Sequence, residues 1–360
     1  MSSIWGDRVQ LSIFGESHGN GIGVVVDGLP AGYEIDLEQA AVQMARRAPG
    51  RDATSTMRRE ADAPRILSGL FNGKTSGAPL AAVIENTDTR SGDYDDIARM
   101  ARPGHADYTG YIRYKGCNDP RGGGHFSGRL TAPLVFAGAV CRQILKQEGI
   151  SVGGHIASIA GVKDGLFDPV GVSAAQLDSL AAVPFSLLDH TVESAMRAEV
   201  ERARLDCDSV GGVVECAAVG LPAGLGSPMF GGVENVLSSI LFGIPAVRGV
   251  EFGTGFNAAE MRGSQHNDPF YRREDGVIAT KTNHHGGVLG GITSGMPLIV
   301  RVAFKPTASI AQPQQTVELL SGKPCELLVK GRHDPCIVPR ALPVVEAAVA
   351  LGLINLMDLR

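Results

Sequence analysis

The side chains best suited to chemistry in this sequence lie in the glycine-rich stretch DPRGGGHFSGR, residues 119–129. Three successive glycines leave bare backbone whose N–H groups can approach a ligand closely. The flanking Arg121 and Arg129 can make planar, bidentate contacts with a phosphate or a carboxylate. His125 adds an imidazole, a side-chain type that often serves acid–base chemistry, and Ser127 adds a hydroxyl. The stretch predicts a site for an anionic ligand, although a single stretch of this kind is also typical of a mobile charged loop.

Several other loops combine the same residue types. They are GESHG, RRAPGR, RPGHADY, RGSQ, NHHGGVLGG, AFKPTAS and KGRHDP. Histidines that recur beside glycine in loops favour function, because loops carry a large share of binding and catalytic residues. Residues 41–65 also hold six arginines and three acidic residues, in a chain whose net charge is −5. This contrast favours a specific small anionic ligand and disfavours a general nucleic-acid binder.

Two motifs resemble catalytic loops but lack their context. GESHG, residues 15–19, fits the G-x-S-x-G pattern of a serine hydrolase with Ser17 as nucleophile, and that pattern requires a strand, a sharp turn and a helix. Here a second β-rich run follows, so we predict a hairpin-like turn that presents Ser17 and His18 to a pocket. The GKT run that ends at Thr75 has Ser68 where a phosphate-binding P-loop needs its first glycine.

The remaining composition is that of an ordinary soluble protein. Of 360 residues, 44% are hydrophobic and 20% are charged, and neither a signal peptide nor a membrane-spanning run is predicted. The six cysteines contain no C-x-x-C pair, which favours free thiols in a reducing cytoplasm. No histidine pair has helical spacing beside a carboxylate, and no G-x-G-x-x-G opens a helix after a strand. We therefore expect neither a metal site nor a Rossmann nucleotide site.

The chain repeats parts of itself in the same order, which indicates a duplicated unit. GLPAG occurs at residues 28–32 and again at 220–224, and TSGAPL is matched later by TSGMPL. The loops that lead to Arg129 and to Arg340 then each precede an apolar, helix-forming run.

These repeats predict one α+β domain, residues 1–360, made of two similar halves at about 8–150 and 205–358. Each half has a strand, a GLPAG turn, an amphipathic helix (37–47 or 233–242), more strands and a second helix. If a pseudo-two-fold axis relates the halves, equivalent loops from both meet at one cleft. We expect the 119–129 stretch and GRHDPC to face each other there.

Taken together, FGESHG, RPGHADY, RGSQ, NHHGGVLGGITSG, FKPTAS and GRHDPC resemble the chorismate synthase family, from about Trp5 to Met357. The resemblance implies a β-α-β sandwich with an internal duplication, assembled as a cytoplasmic homotetramer. It also implies a lyase of the shikimate pathway, which makes aromatic amino acids. The reaction is an anti 1,4-elimination of phosphate from 5-enolpyruvylshikimate-3-phosphate that gives chorismate and needs reduced FMN. NADPH enters only if the chain reduces its own flavin, and neither a nucleic acid nor a membrane is an expected partner.

The resemblance assigns acid–base roles by position in these motifs. His105 matches the acid that protonates the leaving phosphate, and His18 matches the histidine that keeps the flavin suitably protonated. Asp334 matches the carboxylate that relays a proton near the flavin ring. Ser17 and Ser127 match hydroxyls that support this relay.

The resemblance also implies two sets of binding residues. The expected flavin contacts are Arg47, His125, Phe126, Ser127, Pro245, Ala246, Gly290, Lys305, Pro306, Thr307, Ala308, Ser309 and Arg332. The expected substrate contacts are Arg47, Arg51, Arg129 and Arg340. The substrate has two carboxylates and a phosphate, and FMN adds another phosphate, which would account for the excess of arginine.

Two loops depart from the pattern of the family. Many members have GGGRSSAR where this chain has GGGHFSGR, so His125 and Phe126 replace an Arg-Ser pair. Many also have RRRPGTSR where this chain has RRAPGRDA, so Ala53 takes the place of the last arginine, with Arg51 as the expected substitute. We expect these departures to alter the grip on the cofactor more than the acid–base chemistry.

Two other functions compete with this interpretation. A serine hydrolase would react with an active-site serine probe, and Ser17→Ala would abolish the reaction. A non-catalytic flavin- or phosphate-binding module would bind FMN without any turnover that depends on His105 or Asp334.

Overall fold

The computed structural model describes residues 3–49, 62–87, 99–329 and 334–359. Within them the strands are β1 (Ile4–Trp5), β2 (Gln10–Gly15), β3 (Gly21–Asp27), β4 (Arg65–Ser68), β5 (Leu70–Phe71), β6 (Lys74–Thr75), β7 (Leu80–Glu85), β8 (Ser151–Ile159), β9 (Val162–Lys163), β10 (Gly212–Val219), β11 (Val247–Phe252), β12 (Phe270–Arg272), β13 (Ile278–Thr280), β14 (Val288–Leu289), β15 (Ile292–Thr293), β16 (Leu298–Phe304), β17 (Gln314–Val317) and β18 (Pro324–Leu327). The helices are α1 (Leu37–Arg47), α2 (Asp107–Arg113), α3 (Thr131–Gln147), α4 (Ala174–Ala181), α5 (Glu193–Leu205), α6 (Val233–Leu241), α7 (Gly263–His266) and α8 (Val338–Leu356).

Two five-stranded antiparallel sheets enclose a layer of helices. The strand order is β1-β2-β3-β7-β4 in the first sheet and β11-β16-β10-β8-β9 in the second. Helix α3 packs on β3 and β7 of the first sheet, and α8 packs on β8 and β10 of the second. The two helices also pack on each other, so they lie between the sheets. This mixed architecture confirms the predicted α+β class.

The alternation of apolar residues explains why β3 lies on the core. Ile22, Val24 and Val26 are fully buried, and residues two apart in a strand share one face. Strand β3 pairs in register with β2 on one side and β7 on the other. The GESHG segment between β2 and β3 is therefore the turn of an antiparallel hairpin, as predicted.

Helix α1 has the predicted bounds and explains how Arg47 is presented. Asp36 caps its start by accepting a hydrogen bond from the backbone N–H of Glu38 at 2.8 Å. The last turn carries Arg46 and Arg47. The second predicted amphipathic helix, α6, ends at Leu241, one residue earlier than expected.

A buried carboxylate fixes the end of α1 against the central helices. Glu346 lies in the middle of α8 and accepts hydrogen bonds from Arg46 of α1 at 2.5 Å and from Arg142 of α3 at 2.8 Å. It also accepts one from the backbone N–H of Gly154 in β8, at 3.1 Å. Burial alone would raise the pKa of Glu346, but the two guanidiniums outweigh it and lower this pKa.

Helix α8 is apolar because it is the centre of the core. Among the described residues, Val338–Leu356 is long and apolar enough to cross a membrane by composition, yet 89% of its most apolar window is buried inside the protein. An apolar sequence on all sides is expected for a helix that other elements surround.

The two GLPAG turns make equivalent hydrogen bonds. The N–H of Gly32 donates to the carbonyl of Thr75 at 2.8 Å, and the N–H of Gly224 donates to the carbonyl of Thr293 at 2.9 Å. In each case the next residue donates its N–H to the hydroxyl of the same threonine, at 3.0 and 2.9 Å. The repeated sequences thus form the same local structure.

Helices α3 and α8 come into close contact at a glycine. A Cβ atom on Gly138 would lie 2.2 Å from the Cβ of Ala347 and 2.4 Å from its Cα. Real Cβ atoms essentially never come this close, so the separation of the two helices depends on the missing side chain.

We predict that Gly138→Ala lowers the free energy of unfolding by about 1–3 kcal/mol, because the added methyl overpacks the crossing. Alanine is the better helix former by about 1 kcal/mol, so a loss of stability reports packing and not propensity. Urea denaturation measures the change. The control is Gly165→Ala, where an added Cβ meets no atom within 4 Å. Equal stability of the two variants would contradict the prediction.

Candidate active site

A cavity of about 600 Å³ opens between the N-terminal ends of α3 and α8. Its wall combines the end of α1, the loops before α2, α3 and α8, and the loops after α6 and β16. The polar and charged side chains that line it are Arg47, Arg102, His105, His125, Ser127, Arg129, Thr131, Lys305, Thr307, Ser309, Asp334 and Arg340. The N-terminus of a helix favours anions, and here two such termini meet at one site. Residues of the 119–129 stretch and Asp334, from the described part of GRHDPC, line the same cavity.

The triple-glycine loop separates Ser17 and His18 from the cavity. Both residues are buried, and neither lines the cavity, whereas Gly122 does. A Cβ on Gly122 would lie 2.2 Å from Nδ1 of His18 and 2.9 Å from Oγ of Ser17. Gly122 has φ of +58°, a conformation that also favours glycine. The two residues thus lie behind the cavity wall in this structure, and their presentation to a pocket stays a prediction.

His105 reaches the cavity from a network of charged groups. Its Nδ1 donates to Oδ1 of Asp107 at 2.6 Å. Asp107 also accepts hydrogen bonds from Nε and Nη2 of Arg102, both at 2.7 Å. Burial alone would raise the pKa of Asp107, but the bonds from Arg102 and His105 hold this pKa well below its usual range. Asp107 is therefore ionised, and its negative charge lies beside Nδ1 of the His105 ring.

One buried carboxylate joins two of the predicted substrate arginines. Oδ2 of Asp62 accepts from Nη1 of Arg47 at 2.5 Å, and Oδ1 accepts from Nη1 of Arg129. The side chain of Asp62 is only 1% exposed. Arg47 also donates from Nε to the hydroxyl of Thr131, at the start of α3. Both guanidiniums line the cavity from fixed positions.

The third arginine is held from the other side of the cavity. Nη1 of Arg340 donates to the carboxylate of Asp334, and its Nε donates to the backbone carbonyl of Arg47 at 3.0 Å. The same side chain therefore connects the acid–base candidate Asp334 with the C-terminal end of α1. A cation at this end of a helix is favourable.

The loop after β16 supplies an amine and two hydroxyls. Burial, together with nearby Arg248, lowers the pKa of Lys305 below its usual value. The hydroxyl of Thr307 donates to the carbonyl of Asp334 at 2.9 Å, and the hydroxyl of Ser309 accepts from Nη1 of Arg102 at 3.0 Å. The loop thereby bridges the Asp334 side of the cavity and the His105 side.

Comparisons with known proteins show the family to which the chain belongs. The family model described as chorismate synthase matches residues 9–357. A chorismate synthase of Thermococcus kodakarensis is 50% identical over 345 residues, which cover 96% of this chain and 94% of that one. The chain belongs to the chorismate synthase family. A chorismate synthase of Chloroflexus aggregans is 45% identical to this chain over 349 residues, which cover 97% of this chain and 93% of that one. A solved structure described as "Crystal Structure of Chorismate Synthase" superposes with a TM-score of 0.76 at 27% identity, covering 98% of this chain and 92% of that chain.

The departure at His125 has a structural explanation. Nδ1 of His125 donates to the carbonyl of Gly15 at 2.7 Å, which leaves Nε2 to accept from the hydroxyl of Ser3 at 2.6 Å. His125 thus ties the loop to β2 and to residue 3. The adjacent Phe126 lies 6.1 Å from Tyr114, between ring centroids, and lines the cavity.

The structure brings most of the predicted site residues together. The exceptions among the described residues are Ser17 and His18, behind the wall, and Gly290 and Pro306, which do not line the cavity. The structure does not describe Arg51, Ala53 and Arg332. Sequence reasoning missed Asp62, Arg102 and Asp107. RPGHADY contains Arg102 and Asp107, but its spacing alone did not show that both contact His105.

We predict that Asp62→Asn lowers the free energy of unfolding by about 3 kcal/mol, because it leaves two buried guanidiniums without their shared countercharge. Thermal or urea denaturation measures the change. The matched control is Glu34→Gln, which breaks the exposed ion pair with Lys74. That variant should change stability by less than about 1 kcal/mol. A similar small effect in both would show that Asp62 does not hold Arg47 and Arg129.

Proposed function

We propose that this protein is a chorismate synthase that converts 5-enolpyruvylshikimate-3-phosphate to chorismate. It is a carbon–oxygen lyase that acts on phosphates, EC 4.2.3.5, in the shikimate pathway. The observation that carries the proposal is the cavity in which His105, Asp334 and four arginines meet, in a chain that belongs to the family over nearly its whole length. Reduced FMN is the proposed cofactor, and NADPH a further one only if the chain reduces its own flavin.

The donor set of the cavity fits two anionic ligands, one of them aromatic. Besides its guanidiniums and the Lys305 amine, the wall offers apolar surface from Phe126, Phe242, Ile244 and Val344. Its volume of about 600 Å³ is in the range of ligand pockets. Apolar side chains suit a flavin ring, and the cations suit phosphate and carboxylate groups. When bound, reduced FMN supplies the electron-rich ring that promotes departure of the phosphate.

The cationic residues divide into two groups around the proposed ligands. Arg129 and Arg340 stand at the two helix N-termini and bind the carboxylates or the phosphate of the substrate. Arg47 lies between them in space, since it shares Asp62 with Arg129 and its carbonyl accepts from Arg340. Lys305 and the hydroxyls of its loop bind the flavin. Arg51 and Arg332 are proposed to add to these two groups.

Proton transfer is assigned to three side chains at the cavity. His105 gives a proton to the departing phosphate, since its Nδ1 already donates to Asp107 and Nε2 is the other nitrogen. Asp334 accepts and passes on a proton beside the flavin, and Ser127 supports it. Ser17 and His18 act through the backbone of Gly122, which they contact from behind. The proposed flavin contacts Gly290 and Pro306 lie outside the cavity wall and would need a rearranged loop or another subunit.

The chain forms a duplicated domain and a homotetramer in this proposal. Matched hydrogen bonds at the two GLPAG turns support two similar halves, about 8–150 and 205–358, in one domain. Large apolar side chains that a lone protomer exposes support assembly, because their burial at a subunit interface is favourable. They include Met229, Phe230, Phe256 and Phe270, which are 63% to 85% exposed. We place the enzyme in the cytoplasm, with neither nucleic acid nor membrane as partner.

The competing hydrolase function is disfavoured by the hairpin. A nucleophile elbow requires a helix after the turn, and here β3 follows, paired with β2. Ser17 is also only 5% exposed. A non-catalytic binding module is disfavoured because His105 has the charged partner that acid–base chemistry needs.

We expect turnover of 5-enolpyruvylshikimate-3-phosphate in an anaerobic assay with chemically reduced FMN, followed by chorismate absorbance and phosphate release. His105→Ala and Asp334→Ala should each lower kcat by about a hundredfold or more, because each removes a proton-transfer group. His190→Ala is the control, since this exposed histidine pairs with Glu193 away from the cavity.

No turnover despite FMN binding would overturn the proposal and indicate that the changes at His125, Phe126 and Ala53 matter, with the chain acting on another substrate or having lost catalysis. Loss of reaction with a serine probe in Ser17→Ala would favour the hydrolase instead. Light scattering on the same preparation should give the mass of a tetramer.

A further inference from the structure

The network around His105 includes two charged residues to which no role has been given. Asp107 is the first residue of α2, and its side chain is 8% exposed. It accepts hydrogen bonds from His105, from the guanidinium of Arg102 and from the backbone N–H of Arg102 at 3.0 Å. Four donors from two residues thus converge on one carboxylate beside the cavity.

The geometry fixes which nitrogen of His105 carries the proton in the neutral ring. A carboxylate can only accept, so the 2.6 Å contact with Asp107 places a hydrogen on Nδ1. Nε2 is then the nitrogen that gains and loses a proton. It faces the triple-glycine loop, since a Cβ on Gly123 would lie 3.2 Å from it. A side chain at residue 123 would crowd this edge of the ring.

The positively charged guanidinium of Arg102 also lies close to the His105 ring, where Asp107 is negative. Its Nη2 is 3.0 Å from Nδ1 of His105 and 3.3 Å from Nε2. Since Nδ1–H already donates to Asp107, this guanidinium opposes a positive charge on the imidazole, whereas Asp107 supports one. Ser309 accepts from Nη1 of Arg102 and keeps the guanidinium in place.

We propose that Asp107 is a positioning residue that holds His105 with Nδ1 protonated and Nε2 toward the leaving phosphate, and that Arg102 limits how strongly the imidazolium is stabilised. This inference rests on the proposed function. As the C–O bond breaks, its electron pair leaves with the phosphate. The proton on Nε2 of the imidazolium moves to a phosphate oxygen, so that the ester dianion departs as HPO₄²⁻. His105 is left neutral and still donates from Nδ1 to Asp107.

Other charged groups near the cavity act at longer range. They are Lys305, Arg340 with Asp334, Arg47 and Arg129 with Asp62, His125, and Arg121 with Asp119. Asp107 and Arg102 are the two charged side chains that contact the His105 ring in the described part of the chain.

The first test is the pH dependence of kcat with reduced FMN. In Asp107→Asn the amide can still accept from Nδ1 but has no charge. We expect kcat near neutral pH to fall about tenfold or more, and its decline at high pH to begin at lower pH. Arg102→Gln should move that decline to higher pH. Asp107→Glu, which restores the charge, should recover part of the loss.

A second test does not depend on activity. Nitrogen-15 NMR of the wild-type imidazoles, with the His105 signals identified by their loss in His105→Gln, should show Nδ1 protonated in the neutral ring and Nε2 titrating. A neutral ring protonated on Nε2 would overturn the proposal, even if Asp107→Asn does not fold. Unchanged pH profiles in both variants would also overturn it, although turnover that needs His105 would leave the proposed function intact. Absence of turnover in the wild type would refute the proposed function alone, since the NMR result stands apart from it.

Discussion

The close crossing of α3 and α8 at Gly138 and Ala347 is the constraint on which the rest of the structure depends. Each helix begins at the cavity, and the crossing lies about 10 Å from the start of α3 and about 14 Å from the start of α8, at 1.5 Å per residue. The distance between the two helices therefore sets the width of the cavity. A side chain at residue 138 would separate the helix N-termini that present Arg129 and Arg340.

Three buried carboxylates hold the basic side chains near the site in fixed positions relative to the helices. Glu346 joins α1, α3 and α8, Asp62 joins Arg47 to Arg129, and Asp107 joins Arg102 to His105. Buried charges are costly unless they are paired, so these pairs fix the positions of the cations. Five basic residues lie at the cavity, namely Arg47, Arg102, Arg129, Lys305 and Arg340. They outnumber the three carboxylates that lie with them, Asp62, Asp107 and Asp334. Positive charge remains to meet an anionic ligand, on side chains that are already ordered.

Local patterns could be predicted from the sequence, and long-range partners could not. The amphipathic pattern after the first GLPAG turn predicted α1, and the β-rich run after GESHG predicted the hairpin. The motifs also pointed to His105, Asp334 and three of the four cavity arginines, namely Arg47, Arg129 and Arg340. Asp62 was counted among the acidic residues of an arginine-rich segment, but its role depends on Arg129, 67 residues later. The partners of His125, Ser3 and Gly15, are 122 and 110 residues away from it in sequence. Only the folded chain shows such pairs, because no local spacing specifies them.

The central claim is that one cavity, framed by the N-termini of α3 and α8, holds both the flavin and the substrate. A crystal structure with oxidised FMN and 5-enolpyruvylshikimate-3-phosphate tests it most directly. We expect both ligands in this cavity, with substrate anions on the guanidiniums of Arg129 and Arg340 and the substrate phosphate near Nε2 of His105. Either ligand bound elsewhere, or a substrate phosphate remote from His105, would contradict the account.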